Sequence, residues 1–175
     1  MDGVSLRGTE AAFVAESRTA TLATIGPDGR PRLVPICFAF LDEPGSAAVI
    51  VSPLDDKPKA SGDPLALARV RDLAARPEAT ILVDRWSEDW ARLGWVRIDV
   101  RGALVPADPS AIAALRAKYP QYRTHRLEDR PMLRFGVERV VSWGDLGPDR
   151  ASGTGPAHAA GGSGSSSSPG GSRPR

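Results

Sequence analysis

The chain has a single cysteine, Cys37, so no disulfide can form within it, which fits a reducing cytoplasm. Its two histidines, His125 and His158, together with that one cysteine leave too few ligands for a His/Cys metal site. No apolar run approaches the length of a membrane span, and residues 1–17 carry acidic residues in place of the apolar centre of a signal peptide. No GxGxxG follows a predicted strand and no GxxxxGK[ST] occurs, so both the dinucleotide fingerprint and the P-loop are missing. An excess of positive charge is missing too. Three of the 23 basic and one of the 21 acidic residues lie beyond residue 147, which leaves 20 of each in the remainder. The net charge of +2 therefore belongs to the tail, and the body of the chain offers no basic field for a nucleic acid.

What is present begins with a division. Residues 1–146 have the mixed composition of one domain, and residues 147–175 are almost all Gly, Ser, Ala and Pro. Such a tail cannot bury enough apolar surface to offset its ordering entropy, and is expected to be disordered. Within the domain, Thr9–Arg18 reads as a short helix with Thr9 as its N-cap. Thr19–Ile25 and Arg32–Phe40 read as a hairpin around Gly26-Pro27-Asp28-Gly29, with Gly29 at positive φ. Pro35 inside the second strand points to an edge, a bulge or an interrupted ladder.

A third strand over Ala47–Ser52 follows the turn Asp42–Gly45. Asp63 and Pro64 open a helix through Ala75, with Leu67, Val70, Leu73 and Ala74 on one side and Arg69, Asp72 and Arg76 on another. Strands are expected at Ala79–Asp84, Trp95–Val105 and Met132–Trp143, and a helix from Pro109 to about Lys118 behind Asp108. Val96, Ile98 and Val100 alternate with Arg97, Asp99 and Arg101, which predicts one dry and one wet face. The count is six strands, mainly hairpin-linked, in a mainly β fold with short helices. This predicts a small antiparallel barrel.

The candidate chemistry lies in Val51–Lys59. An apolar strand ends at Ser52 and a loop follows in which Lys57 and Lys59 flank Pro58. Two cations held by a proline suit a phosphate or carboxylate. A solvated loop in which Asp55 and Asp56 neutralise the lysines is the alternative. Arg69, Arg71 and Arg76 follow on the next helix. Four tryptophans stand out in a chain that is only 6% aromatic. Trp86 and Trp90 in one connection could wall a pocket for a planar ring, and core or dimer packing is the alternative for all four. Cys37 has no sequence-near histidine, and Asp84, Glu88 and Asp89 read as a solvated cluster. No side chain is assigned a catalytic role, so any chemistry must be carried by a bound cofactor.

The hairpin Ala20–Ile36, the loop Asp55-Asp56-Lys57-Pro58-Lys59 and the helix Leu67–Pro77 together resemble the pyridoxamine-5′-phosphate-oxidase-like split β-barrel superfamily. Val83–Arg97 and Arg116–Tyr122 narrow the resemblance to its actinobacterial branch, which uses coenzyme F420. The resemblance implies a six-stranded antiparallel split barrel that pairs as a homodimer in the cytoplasm. It implies a deazaflavin, F420, or alternatively FMN, bound through its phosphate by Ser52, Lys57, Lys59 and Arg69. The ring would lie along the second strand near backbone groups of Val34, Pro35 and Ile36. Asp72 stands where an asparagine is common. The implied activity is hydride transfer to or from a small, electron-poor substrate. The alternatives are an FMN-dependent pyridoxamine-phosphate-oxidase-like enzyme and a non-catalytic protein that binds or sequesters F420. Metal, nucleic acid and membrane are not expected.

Overall fold

The computed structural model of the protein describes residues 6–41, 47–54 and 63–148. Expectations that fall on the turn at residue 43, on Lys57 and Lys59, and on the tail from residue 149 lie outside the described residues. Three helices, α1 (Gly8–Glu16), α2 (Ala68–Ala75) and α3 (Pro109–Lys118), accompany seven strands. The strands are β1 (Ala20–Ile25), β2 (Pro31–Ile36), β3 (Ala39–Leu41), β4 (Val49–Pro53), β5 (Glu78–Arg85), β6 (Gly94–Val105) and β7 (Met132–Gly144). They form one antiparallel sheet in the order β2-β1-β5-β6-β7-β4-β3.

The expected six strands are thus seven, because Arg32–Phe40 is not one strand. It breaks at Cys37 and Phe38 into β2 and β3, which lie at opposite ends of the sheet order. Two residues span at most about 11 Å between flanking Cα atoms. The first and last strands of the order are therefore tied close together, and the sheet must curl into a half-barrel. Tyr119, just past α3, pins this seam. Its hydroxyl accepts from the Phe38 N–H at 3.0 Å and lies 2.8 Å from the Arg18 carbonyl and 3.1 Å from that of Phe38. Burial pushes the Tyr119 phenol up, so it keeps the proton it donates. Lys118 lies 3.6 Å above the Phe38 ring centroid, and burial lowers its ammonium to about 8.

The hairpin follows its turn chemistry. Gly29 has φ +78° and donates to the Gly26 carbonyl, and the Gly26 N–H donates to that of Arg30. Along β6, Val96, Ile98 and Val100 are buried while Arg97, Asp99 and Arg101 are not, as the alternation predicts. Asp108 caps α3 by accepting from the Ser110 N–H at 2.9 Å. One core lies between the sheet's inner face, α1 and α2, with Phe13, Val14, Leu73, Ile81, Ile98 and Phe135 in it. A second lies under α3, around Ile112, Leu115, Tyr122 and Met132. All five residues of β4 are buried, because Ile50 faces the first core and Val49 and Val51 face the second.

Two helix starts differ from the sequence reading. α1 begins at Gly8 with Arg7, not Thr9, at the N-cap position. Glu10 folds back to accept from the Arg7 N–H at 2.9 Å, which supplies the cap that Thr9 would have given. Asp63 caps only a 3-10 turn at Pro64–Ala66, where it accepts from the Leu65 N–H at 2.8 Å, and α2 starts after it.

Two outcomes are expected. Tyr119→Phe leaves the Phe38 N–H without an acceptor at the seam and should destabilise the fold by about 1–3 kcal/mol, read by urea unfolding. Hydrogen bonding from Arg7 outweighs burial and, with the Ser142 hydroxyl at 2.7 Å, holds Glu10 down from 4.5 to about 2. Its contribution, on the order of 2 kcal/mol, is complete above pH 4.5 and is lost as pH falls towards 2. Glu10→Gln should flatten that part of the stability–pH curve.

Candidate functional site

β4 delivers the chain to the loop. Ser52 pairs with Leu133 and Pro53 with Met132, and these in turn pair with Leu104 and Val105. The strand period of two puts Ser52 on the face of Ile50, towards the first core. Ser52 is buried, and its hydroxyl forms no hydrogen bond with the other described residues. The chain leaves at Leu54 and returns at Asp63. Beside this return is an open cleft of about 540 Å³, with Leu65, Leu104, Val105, Pro106 and Pro131 as its apolar wall. Glu128, Asp129 and Arg130 make its charged rim. That volume is within the range of about 300–1,000 Å³ typical of small-molecule sites. Arg69 is half-buried in the first turn of α2.

β2 supplies a second surface, and its phase can be worked out. The bond from Gly26 N–H to the Arg30 carbonyl makes that pair a hydrogen-bonded one, so Pro31, Leu33 and Pro35 fall at the alternate positions. Among the described strands β2 pairs with β1 alone. Its outer edge therefore presents the carbonyls of all three residues but only one N–H, that of Leu33. Val34 and Ile36 turn their backbone groups to β1, and their side chains are half-buried and buried. Of the three expected ring contacts, Pro35 alone faces outward, through its carbonyl. Leu33 escaped the sequence reading, although two prolines four residues apart bracket it.

Asp72 also departs from the sequence reading, which put it on the helix face away from the core. It is buried, accepting from the Thr24 hydroxyl at 3.0 Å and pairing with Arg32 at 3.3 Å. These partners sit on another hairpin, which helical periodicity alone cannot reveal. Trp86 and Trp90 are 71% and 76% exposed, and neither lines one of the described cavities. Trp143 is exposed too and stands opposite Trp95 in the sheet. Among the described residues no His, Cys, Asp or Glu cluster could hold a metal ion. No described helix is long and apolar enough to cross a membrane.

The family model for pyridoxamine 5′-phosphate oxidase matches residues 6–144, from just before α1 to the end of β7. The chain belongs to this family. No curated protein matches it. Among solved structures, the fold is similar to that of a conserved hypothetical protein from Mycobacterium tuberculosis, at 24% identity and TM-score 0.60, over 82% of this chain and 87% of that one. A heme-binding protein from Mycobacterium smegmatis is similar at 21% identity and TM-score 0.57, over 83% of this chain and 57% of the other. A FAD-binding protein from Mesorhizobium loti is similar at 20% identity and TM-score 0.50, over 78% and 92%. At these identities the likenesses show the fold, a curled antiparallel half-barrel with few short helices, and this member of the pyridoxamine 5′-phosphate oxidase family shares it.

The Asp72 pairing gives a testable consequence. Thr24→Val leaves one buried carboxylate oxygen without its hydroxyl and should destabilise the protein by about 1–2 kcal/mol in thermal or urea unfolding.

Proposed function

We propose that the protein is an oxidoreductase that binds coenzyme F420 through its phosphate and transfers a hydride to or from a small, electron-poor substrate. The observation that carries this reading is the family match over residues 6–144 in a chain that places a cationic loop directly after β4. The donor set fits a phosphate. A buried hydroxyl without a partner among the described residues, Ser52, precedes two ammonium groups, Lys57 and Lys59, and Arg69 follows. Charge-assisted bonds of this kind are the strong ones.

When bound, the deazaflavin supplies the carbon that gives or takes the hydride. The protein's part is to hold and to position. Ser52, Lys57, Lys59 and Arg69 grip the phosphate. The outer edge of β2 offers the Leu33 N–H and the Pro35 carbonyl to the polar rim of a flat ring, with Val34 and Ile36 stiffening that strand from the inner side. The open cleft walled by Leu65, Leu104 and Val105 offers an apolar surface on which a small substrate could lie. No side chain is required as an acid or base. A homodimer is part of the proposal, because Leu33, Trp86, Trp90 and Trp143 are large apolar side chains left exposed. The cytoplasm is the setting that a single cysteine in the sequence favours.

FMN is the second reading, favoured by the family itself, and a barrel that only binds or sequesters F420 is the third. Fluorescence titration of the purified chain with F420 and with FMN decides among them. F420 should bind in the micromolar range, and reduced F420 should be reoxidised when an electron-poor substrate is added. Failure to bind at tens of micromolar would falsify the F420 reading. Tighter binding of FMN selects the flavin, and binding without turnover selects the carrier. Lys57→Ala with Lys59→Ala should weaken F420 by on the order of 1.5–3 kcal/mol with little change in Tm.

A further inference from the structure

We propose that the cleft between the β1–β2 turn and α2 is a second anion site. It would take a small dianion, a phosphate monoester or a dicarboxylate, with a compact apolar body. The cleft holds about 340 Å³. Ile25, Pro27 and Ala75 form its apolar walls, and its charged groups are Arg32, Arg71, Arg76 and Asp72.

The charge of this cleft is one-sided. Three guanidinium groups meet one carboxylate, and that carboxylate is already engaged: Thr24 takes one oxygen of Asp72 and Arg32 the other. Arg71 and Arg76 are exposed and make no ion pair or side-chain hydrogen bond with the other described residues. Arg32 spends one N–H on Asp72, which leaves other donors of its fork to face the cleft. On the turn, Asp28 brings a second carboxylate to the Gly26 side, where it accepts from the Arg30 N–H at 3.2 Å, and the exposed Arg30 side chain offsets its charge, so the balance at the cleft stays positive. The carbonyl end of α2 lies at Arg76 and is partly negative, so the cations there counter it rather than add to a helix field. The domain as a whole, with 20 basic and 20 acidic residues, gives no background that would explain this cluster.

Gly26 belongs to the same design. A Cβ there would fall 2.6 Å from Nε of Arg32, 2.8 Å from its Cζ and 2.8 Å from an Asp28 carboxylate oxygen. A side chain would displace the guanidinium that bridges Asp72 to the cleft. The residues that line this cleft, Arg71, Asp72, Ala75 and Arg76 among them, include none of Ser52, Lys57, Lys59 and Arg69. Arg69 and Arg71 stand two residues apart on α2, about 200° around its axis, so they project from different sides of the helix. The inference therefore stands whether or not F420 is the cofactor.

Calorimetric titration of the full chain with phenyl phosphate and with succinate, at fixed ionic strength, tests it. At least one should bind saturably at one site per chain, and which one binds tells the phosphate monoester from the dicarboxylate. Arg71→Gln with Arg76→Gln should weaken it about tenfold or more. Lys57→Ala with Lys59→Ala, and Arg123→Gln at an exposed site elsewhere, should leave it within about twofold. Because Arg71 and Arg76 are exposed, the double variant should fold, and its circular dichroism checks this. No saturable binding by either probe overturns the proposal. So does equal loss in the Arg123 variant, or a loss confined to the lysine variant.

Discussion

The fold depends on a two-residue connection. Cys37 and Phe38 join strands that stand at opposite ends of a seven-stranded sheet order, and so short a link forces the sheet to curl. Tyr119 holds the connection by bonding both backbone groups of Phe38, and Lys118 covers the Phe38 ring. α3 carries these two residues at its end, so the second core under α3 and the seam of the half-barrel are one structural unit. The long β6–β7 pair is the back of the curl, twelve residues paired with thirteen and interrupted by a single register shift at Asp99.

Curling decides where chemistry can sit. β4 is buried on both faces, which fixes the position of Ser52 near its end. β2 at the other end of the order has one open side, and its two prolines reduce that side to a single N–H. A strand edge so depleted of donors is poorly suited to pairing with another strand, while it still offers carbonyls and one N–H to a ligand. α2 links the two regions, with Arg69 at its start near the loop's return and Arg71 and Arg76 towards the turn of the hairpin.

Much of this was legible in the sequence. The turn at Gly26–Gly29, the alternation of Val96, Ile98 and Val100, the Asp108 cap and the edge position of Pro35 all follow from local rules, and local rules held there because each element's own chemistry decides it. The break at Cys37 was not legible, since Arg32–Phe40 is continuously strand-like and only the closing of the sheet divides it. Asp72 was misplaced for the same reason: its partners, Thr24 and Arg32, lie 48 and 40 residues away in sequence. At the site, the lysine loop stood out by composition. Leu33 did not, because its importance lies in the phase of a hydrogen-bond ladder and not in its side chain.

The central claim is that the segment after β4 grips an anionic cofactor while the cleft at the far end of α2 serves a different ligand. Hydrogen–deuterium exchange of the full chain with and without F420 tests it most directly. The account predicts slower exchange in the peptides covering residues 50–62 and 31–36, with the peptide covering 72–78 unchanged. Protection confined to residues 24–32 and 70–78, with none after β4, would contradict it.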